Sequence, residues 1–385
     1  MLNARLLLSI AGLVLVIVAA AYHLHGERSL PIPETNLPSV YDQIVPAAEA
    51  LEGVQEQSCS DDQTASYDPI VVQVSPLGEE ISPDIGSLIY RGGVDLSSEN
   101  ERFGGVSGLE VFSDGASISA FAVTDEALLL KFNLTHSDSG ELEGIADTVA
   151  TTLVSSDGQL LAGKAYGDSE SLALDRFGGL AIGFEQRHRI GYIFPELCGA
   201  ASRVVVPQDL IGAVEALPDN KGLEALAYAS KLEDSLIFGI EQSFENINPV
   251  IPMTLYNYGV VDLTRGALDS NGLEAPSGYG LVGMDILETG GASHLFMLQR
   301  AYDPATGNRL RVLKRTLSQN SEPLAGQTEG LATLSRDNFP VDNFEGISVV
   351  ETETGVARIY LVSDDNFSDR QRTLLVAFDY VLSQP

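Results

Sequence analysis

The chain has 385 residues, with 54 Asp and Glu against 22 Lys and Arg, a formal net charge of −32 and a pI near 4.3. That balance excludes nucleic acid and an anionic membrane surface as default partners, since both require a basic footprint. Hydrophobic residues at 44 % exclude an acidic disordered chain, two Cys exclude a disulfide scaffold, and five His are too few for a polyhistidine metal centre.

Residues 1–21 read as a targeting segment. Arg5 supplies a positive start, Leu6 to Ala21 are apolar or small apart from Ser9 and Gly12, and Ala19 to Ala21 offer a small-residue cleavage site. The apolar run of 16 residues falls short of the roughly 20 needed to span a bilayer. A signal peptide and an uncleaved N-terminal anchor both fit. Either places the body outside the cytoplasm, in the periplasm, secreted, or anchored to the outer face of the inner membrane. Membrane contact is expected only through that anchor.

Residues 22–68 hold Pro31, Pro33, Pro38 and Pro46 and no clear period, which reads as a linker or irregular arm. Cys59 lies in the arm and Cys198 in the body. In an oxidising compartment they are a candidate disulfide; otherwise they are two unrelated thiols.

From residue 69 to 385 the pattern is short apolar runs divided by turn residues. Ile118–Thr124, Leu128–Leu134, Gly179–Phe184, Leu236–Ile240 and Leu374–Phe378 are examples. Alternation, β-branched content and Asp-Gly, Gly-Gly or Thr-Gly breaks predict antiparallel strands. Asp209–Ala216 is the best short helix candidate.

A unit recurs within this body. Ser107-Gly-Leu-Glu closes at Asp125, and Glu170-Ser-Leu-Ala at Glu185. Glu224-Ala-Leu-Ala closes at Glu241, Val282-Gly-Met-Asp at Arg300, and Glu345-Gly-Ile-Ser at Asp364-Asp365. The starts lie 54 to 63 residues apart. Five such copies predict an all-β propeller of five or six four-stranded blades. The N-terminal strands around Ile70–Val74 and Ser87–Leu96 complete the last sheet or begin a sixth.

In an antiparallel hairpin the first strand begins beside the end of the second. The pattern therefore gathers Glu170, Glu185, Glu224, Glu241, Glu345 and Asp365 at one channel mouth. Crowded carboxylates raise one another's pKa or require a cation, and an all-oxygen set suits Ca²⁺ or Mg²⁺. The structural alternative is that these acids accept backbone N–H groups from the neighbouring blade. Arg187, Arg300 and Arg372 lie at or just beyond the closing positions, where they either bind an anionic group or neutralise the acids beside them.

The repeat also carries a family resemblance. Asp342-Asn-Phe-Glu-Gly-Ile-Ser, Val362-Ser-Asp-Asp-Asn-Phe and Gln371-Arg-Thr-Leu-Leu resemble the C-terminal signature of the phytase-like family, described by "esterase-like activity of phytase". Gly104-Gly-Val-Ser-Gly-Leu-Glu, Asp168-Ser-Glu-Ser-Leu-Ala, Lys221-Gly-Leu-Glu-Ala-Leu-Ala and Leu298-Gln-Arg resemble its other blocks, so the likeness covers roughly residues 85–382. It implies an exported bacterial propeller acting on phosphoesters or esters. By analogy with calcium-dependent propeller phytases, the six acids would hold Ca²⁺ (or Mg²⁺) and Arg187, Arg300 and Arg372 would contact phosphate. Ser107 and Val282 depart from the acidic pattern, which makes the ring asymmetric.

Nucleophile signatures fail. Gly167-Asp-Ser-Glu-Ser lacks the closing Gly of a nucleophile elbow and opens a strand, and there is no H-E-x-x-H, P-loop or dinucleotide fingerprint. His188 is a candidate general base if it faces the channel. Three functions remain: a metal-dependent phosphoester hydrolase, a non-catalytic propeller binding a ligand or partner in the envelope, and a metal-dependent lactonase or carboxylesterase. The expected ligand is a small anionic or ester substrate. Oligomeric state has no signal in the chain.

Overall fold

The computed structural model describes residues 47–77, 81–113, 117–161, 163–206, 222–232, 234–241, 258–262, 267–269, 278–317 and 328–382. The targeting segment, the first half of the arm and the helix candidate at Asp209–Ala216 lie outside the described residues.

The arm is not irregular throughout, because α1 runs from Ala47 to Ser58. Its Ala, Glu, Leu and Gln residues are strong helix formers, and Pro46 directly precedes it. The four strands that follow are β1 (Asp68–Pro69), β2 (Gln73–Pro76), β3 (Asp84–Ile85) and β4 (Leu88–Ser97). The first repeat holds β5 (Val106–Ser113), β6 (Ile118–Thr124), β7 (Leu128–His136) and β8 (Leu142–Thr152). A short helix α2 (Lys164–Gly167) leads into β9 (Ser169–Leu174), β10 (Leu180–Phe184) and β11 (Arg189–Ile193), which end at α3 (Pro195–Cys198). The third repeat comprises β12 (Leu223–Ala229), β13 (Ser235–Ile240), β14 (Tyr258–Asp262) and β15 (Ala267–Asp269). The fourth comprises β16 (Gly280–Thr289), β17 (Ala292–Asp303), β18 (Gly307–Leu317) and β19 (Thr328–Leu334). The last is β20 (Asn343–Glu353), β21 (Val356–Asp364) and β22 (Thr373–Val381).

These strands form five antiparallel sheets. The innermost strands β5, β9, β12, β16 and β20 each contact the next, and β20 returns to β5, so the ring is closed. Five hydrophobic clusters fill the five spaces between neighbouring sheets. Phe121 and Leu129 meet Leu172 and Ile182, and Ile190 meets Leu226. Ile237 meets Met284 and Leu295, Phe296 meets Phe344 and Phe378, and Tyr360 and Leu375 meet Val106 and Leu130. Each sheet is covered on both faces, which is why β22 is buried along nearly its whole length and reads as a continuous apolar run rather than an alternating one.

The N-terminal strands do not start a sixth blade. β4 pairs with β22, with Leu96 opposite Thr373, and β2 and β3 pair with β4. The fifth sheet is thus completed by chain from the other end. Asp379 locks that seam: Arg91 Nε donates to its Oδ2 at 2.6 Å and Arg358 Nε to its Oδ1 at 2.8 Å. The sheets are not uniformly four-stranded. The first gains β1 at its outer edge, and among the described residues the second has three strands plus an isolated bridge from Tyr192 to Val205. Cys59 and Cys198 form a disulfide that ties the end of α1 to α3.

Candidate metal centre

The functional geometry begins with an irregularity repeated in every sheet. The pairing of the inner hairpin shifts between Val106 and Gly108, between Leu223 and Ala225, between Leu281 and Gly283, and between Phe344 and Gly346. In the second sheet the shift falls where Gly183 pairs with Ser171 and Phe184 with Ser169. The residue left over is Ser107, Glu170, Glu224, Val282 or Glu345. Each repeat position singled out in the sequence is therefore a β-bulge, a device that re-aims one side chain and increases local twist.

The residue after each bulge is Gly108, Ser171, Ala225, Gly283 or Gly346. A Cβ on Gly283 would lie 2.5 Å from the Glu345 carbonyl oxygen, so this small residue lets adjacent inner strands approach closely. The channel they enclose measures about 10 Å³, about one water and too narrow for a substrate. Chemistry is confined to its mouth.

Register identifies the facing residues. Asp125 N–H bonds Gly105 O, Glu185 N–H bonds Asp168 O and Glu241 N–H bonds Gly222 O, while Arg300 pairs with Gly280 and Asp364 with Asn343. The fifth closing acid is consequently Asp364, not Asp365. Asp365 is spent on structure: its Oδ1 accepts Gly105 N–H at 2.8 Å and Phe367 N–H at 3.0 Å, and its Oδ2 accepts the Thr373 hydroxyl at 3.1 Å.

The ring of acids is compensated at its two flanks. On one side Arg300 pairs with Glu345 and lies 3.7 Å from Glu241, with Asn343 bonded to both Arg300 and Glu345. Burial works against the Arg300 charge, but Glu345, Glu224 and Glu241 outweigh it and raise its pKa above the ordinary arginine range. On the other side Lys164, from α2, places Nζ 2.6 Å from Asp125 Oδ2 and 3.8 Å from Asp168 Oδ1.

Between these flanks stand Glu170, Glu185 and Glu224, all buried. Among the described residues, no Lys or Arg lies in ion-pair range of the three. Burial, then Glu345 and Asp168, push the Glu170 pKa well above the carboxylate range, and burial followed by Glu170 and Glu185 does the same to Glu224. Burial raises Glu185 to about 7, although Gly222 N–H and Glu224 both hydrogen-bond it. Asp364 rises to about 8 through burial and Glu345. Glu170 shares a hydrogen bond with Asp168, and Glu224 shares one with Glu185. Carboxylate oxygens of Asp168, Glu170 and Glu185 lie within 4.8 Å of one another, the spacing of a metal ligand set. Buried Asp168 Oδ1 has no hydrogen-bond partner, as expected of a ligand atom without its ion.

The other candidates divide. Glu170, Glu185, Glu224, Glu241 and Glu345 converge on the mouth. Arg300 converges too, but as the counter-cation of Glu241 and Glu345 rather than as a spare guanidinium. Arg187 stacks on the Tyr166 ring at 3.9 Å. Arg372 lies outside the ring, 3.8 Å from Asp342 and 4.0 Å from Asp95, lining a cavity of about 570 Å³ with Arg336 and Phe339. The His188 ring fills the space a Gly222 side chain would occupy, behind the Gly222–Glu185 bond. Three residues were missed by the sequence argument: Asp168, Lys164 and, in this role, Asp125.

No curated protein matches the chain significantly. Among solved structures, a thermostable family-43 glycoside hydrolase aligns at 8 % identity with a TM-score of 0.45, covering 74 % of this chain and 92 % of its own. The Coprinopsis cinerea GH62 α-L-arabinofuranosidase catalytic domain aligns at 12 % identity and 0.41, covering 80 % and 97 %. Virginiamycin B lyase from Staphylococcus aureus aligns at 10 % and 0.35, covering 81 % and 100 %. A protein-family model described as "Esterase-like activity of phytase" matches residues 101–367. With five bulged inner strands and these matched blocks together, the chain belongs to the phytase-like family.

Proposed function

We propose that the chain is an exported hydrolase of ester bonds, phosphoesters foremost, that works with a divalent cation held at the channel mouth. The observation that carries this reading is the run of three buried carboxylates without a basic partner between two compensated flanks. Asp168, Glu170 and Glu185 would hold the ion, and their all-oxygen set favours Ca²⁺, then Mg²⁺. When bound, the cation supplies Lewis-acid polarisation of a phosphoryl or carbonyl oxygen. Glu224, hydrogen-bonded to Glu185 beside the ligand set, is placed to exchange a proton with the reacting oxygen. Arg300 pairs with Glu345 and lies beside Glu241, which holds that flank of the mouth in place. The substrate sits above the mouth, since the channel below admits only water. The disulfide supports an oxidising compartment, in accord with an exported protein.

The test is a panel of phosphomonoesters, carboxylic esters and lactones with Ca²⁺ or Mg²⁺ and with chelator. Turnover of phosphoesters lost in chelator, and reduced at least about 100-fold in Glu170→Gln, is the expected result. Turnover of carboxylic esters or lactones alone would reassign the substrate. Calcium binding without turnover would leave a non-catalytic propeller.

A further inference from the structure

We propose that the mouth contains a second divalent-cation position, between Asp125 and Asp168, and that the Lys164 ammonium occupies it as a tethered substitute. The inference rests on the reading that a cation binds at Asp168, Glu170 and Glu185, and makes Asp168 a carboxylate shared by two positions.

Four observations lead there. Asp125 and Asp168 are almost wholly buried, at 2 % and 1 % exposure. Each still has one carboxylate oxygen, Asp125 Oδ1 and Asp168 Oδ1, with no hydrogen-bond partner. Leaving such an atom without a hydrogen bond is costly; Asp168 Oδ1 has only the Lys164 ammonium at 3.8 Å, and both oxygens are open to a further cation. Lys164 is built differently from the acids it serves. Its side chain is 56 % exposed and arrives from outside on the four-residue α2, after Gly163 at a φ of 76°. An ammonium that crosses from solvent to two buried acids can leave again without opening a cavity. Finally, Gly105 adopts a φ of 61°, and a Cβ there would lie 2.2 Å from Asp125 Oδ1. Only glycine leaves that oxygen its place at the mouth.

An ammonium is a single charge with three donors, whereas Ca²⁺ takes six to eight oxygens at 2.3–2.6 Å. With Lys164 in place, Asp125 faces one cation of fixed reach. With Lys164 withdrawn, Asp125, Asp168 and water make an oxygen site that shares a ligand with the first.

Calorimetric titration of the full chain with calcium chloride tests this directly. The wild type is expected to take one equivalent and Lys164→Met two. The second equivalent disappears in Lys164→Met combined with Asp125→Asn, and Lys164→Arg binds as the wild type does. Lys164→Gln serves if the methionine variant fails to fold. One equivalent in both wild type and Lys164→Met overturns this inference and leaves the proposed function standing. No equivalent in the wild type but one in Lys164→Met overturns both, since the single site uncovered would not be a second one. No binding by either overturns both.

Discussion

Glu110 and Glu224 lie on inner strands of the same ring. Both are buried, both have pKa values pushed well above the carboxylate range, and they differ in what they touch. Glu224 occupies a bulge and faces other acids. Glu110 sits three residues beyond its own bulge and accepts the backbone N–H of Leu174 in the next sheet. The same device recurs at that level elsewhere. Asp285 Oδ2 accepts Val349 N–H at 2.6 Å and the Ser348 hydroxyl at 2.9 Å, and Ser348 Oγ accepts Val111 N–H at 2.8 Å. Three residues below the mouth, polar side chains latch one sheet to the next; at the mouth, Glu185 takes one such bond from Gly222 N–H, while Glu170 and Glu224 face other carboxyls. Of the repeated acids themselves, Glu185 and Asp365 accept a backbone N–H from the neighbouring sheet. Burial alone does not mark a functional acid.

That contrast can be broken at several points. The largest effect is expected from Arg300→Met, which takes the buried cation away from Glu345. Removing one partner of a buried ion pair costs about 3–5 kcal/mol, read from denaturant unfolding. Calcium should recover part of the loss.

Next comes pH. Glu185 and Asp364 have folded pKa values of about 7 and about 8 against ordinary values of 4.5 and 3.8. Each binds its proton more tightly when folded, so the associated stability is complete below about pH 4 and is lost as pH rises through 7 and 8. In chelator the melting temperature should fall over that window, by the equivalent of on the order of 3 kcal/mol for Glu185. Saturating Ca²⁺ should abolish the fall. A flat profile in chelator would show that the mouth is compensated by something else.

Asp285→Ala strikes the other rung. It removes the acceptor of Val349 N–H and of Ser348, at a cost of about 1–3 kcal/mol, with calcium binding unchanged. The smallest effect has the opposite sign. Glu224→Gln keeps the shape and removes one like charge, so above pH 8 in chelator it should stabilise the protein by about 1 kcal/mol while weakening calcium. A destabilised Glu224→Gln would place Glu224 with the latches.

Much of this was legible in the chain. Five tetrapeptides at near-regular spacing foretold the propeller, and the closing positions foretold which acids meet. A bulge was not legible, because it is a relation between two strands rather than a property of either. Without it Asp364 and Asp365 are indistinguishable, and only pairing with Asn343 assigns the first to the mouth. Asp168 was hidden by the repeat itself, since its counterparts Gly105, Gly222, Gly280 and Asn343 carry no acid. Lys164 belongs to no repeated position at all. Arg187 and Arg372 follow closing positions in sequence, but the intervening turns direct one to Tyr166 and the other to Asp342. The helix at Ala47–Ser58 carried a visible helical composition that the surrounding prolines obscured.

The seam between β4 and β22 has a consequence for how the molecule comes into being. Tyr90 lies opposite Phe378, so the fifth sheet joins residues nearly 290 positions apart. As the chain is made from its N-terminus, β4 must wait, with the edge that takes β22 unpaired, until β22 has emerged. Such distant pairing is slow and exposes strand edges meanwhile. Closure of the ring is therefore a late, all-or-nothing event. The mouth, with its fifth-sheet residues Asn343, Glu345 and Asp364, is fully assembled only when β4 and β22 find each other.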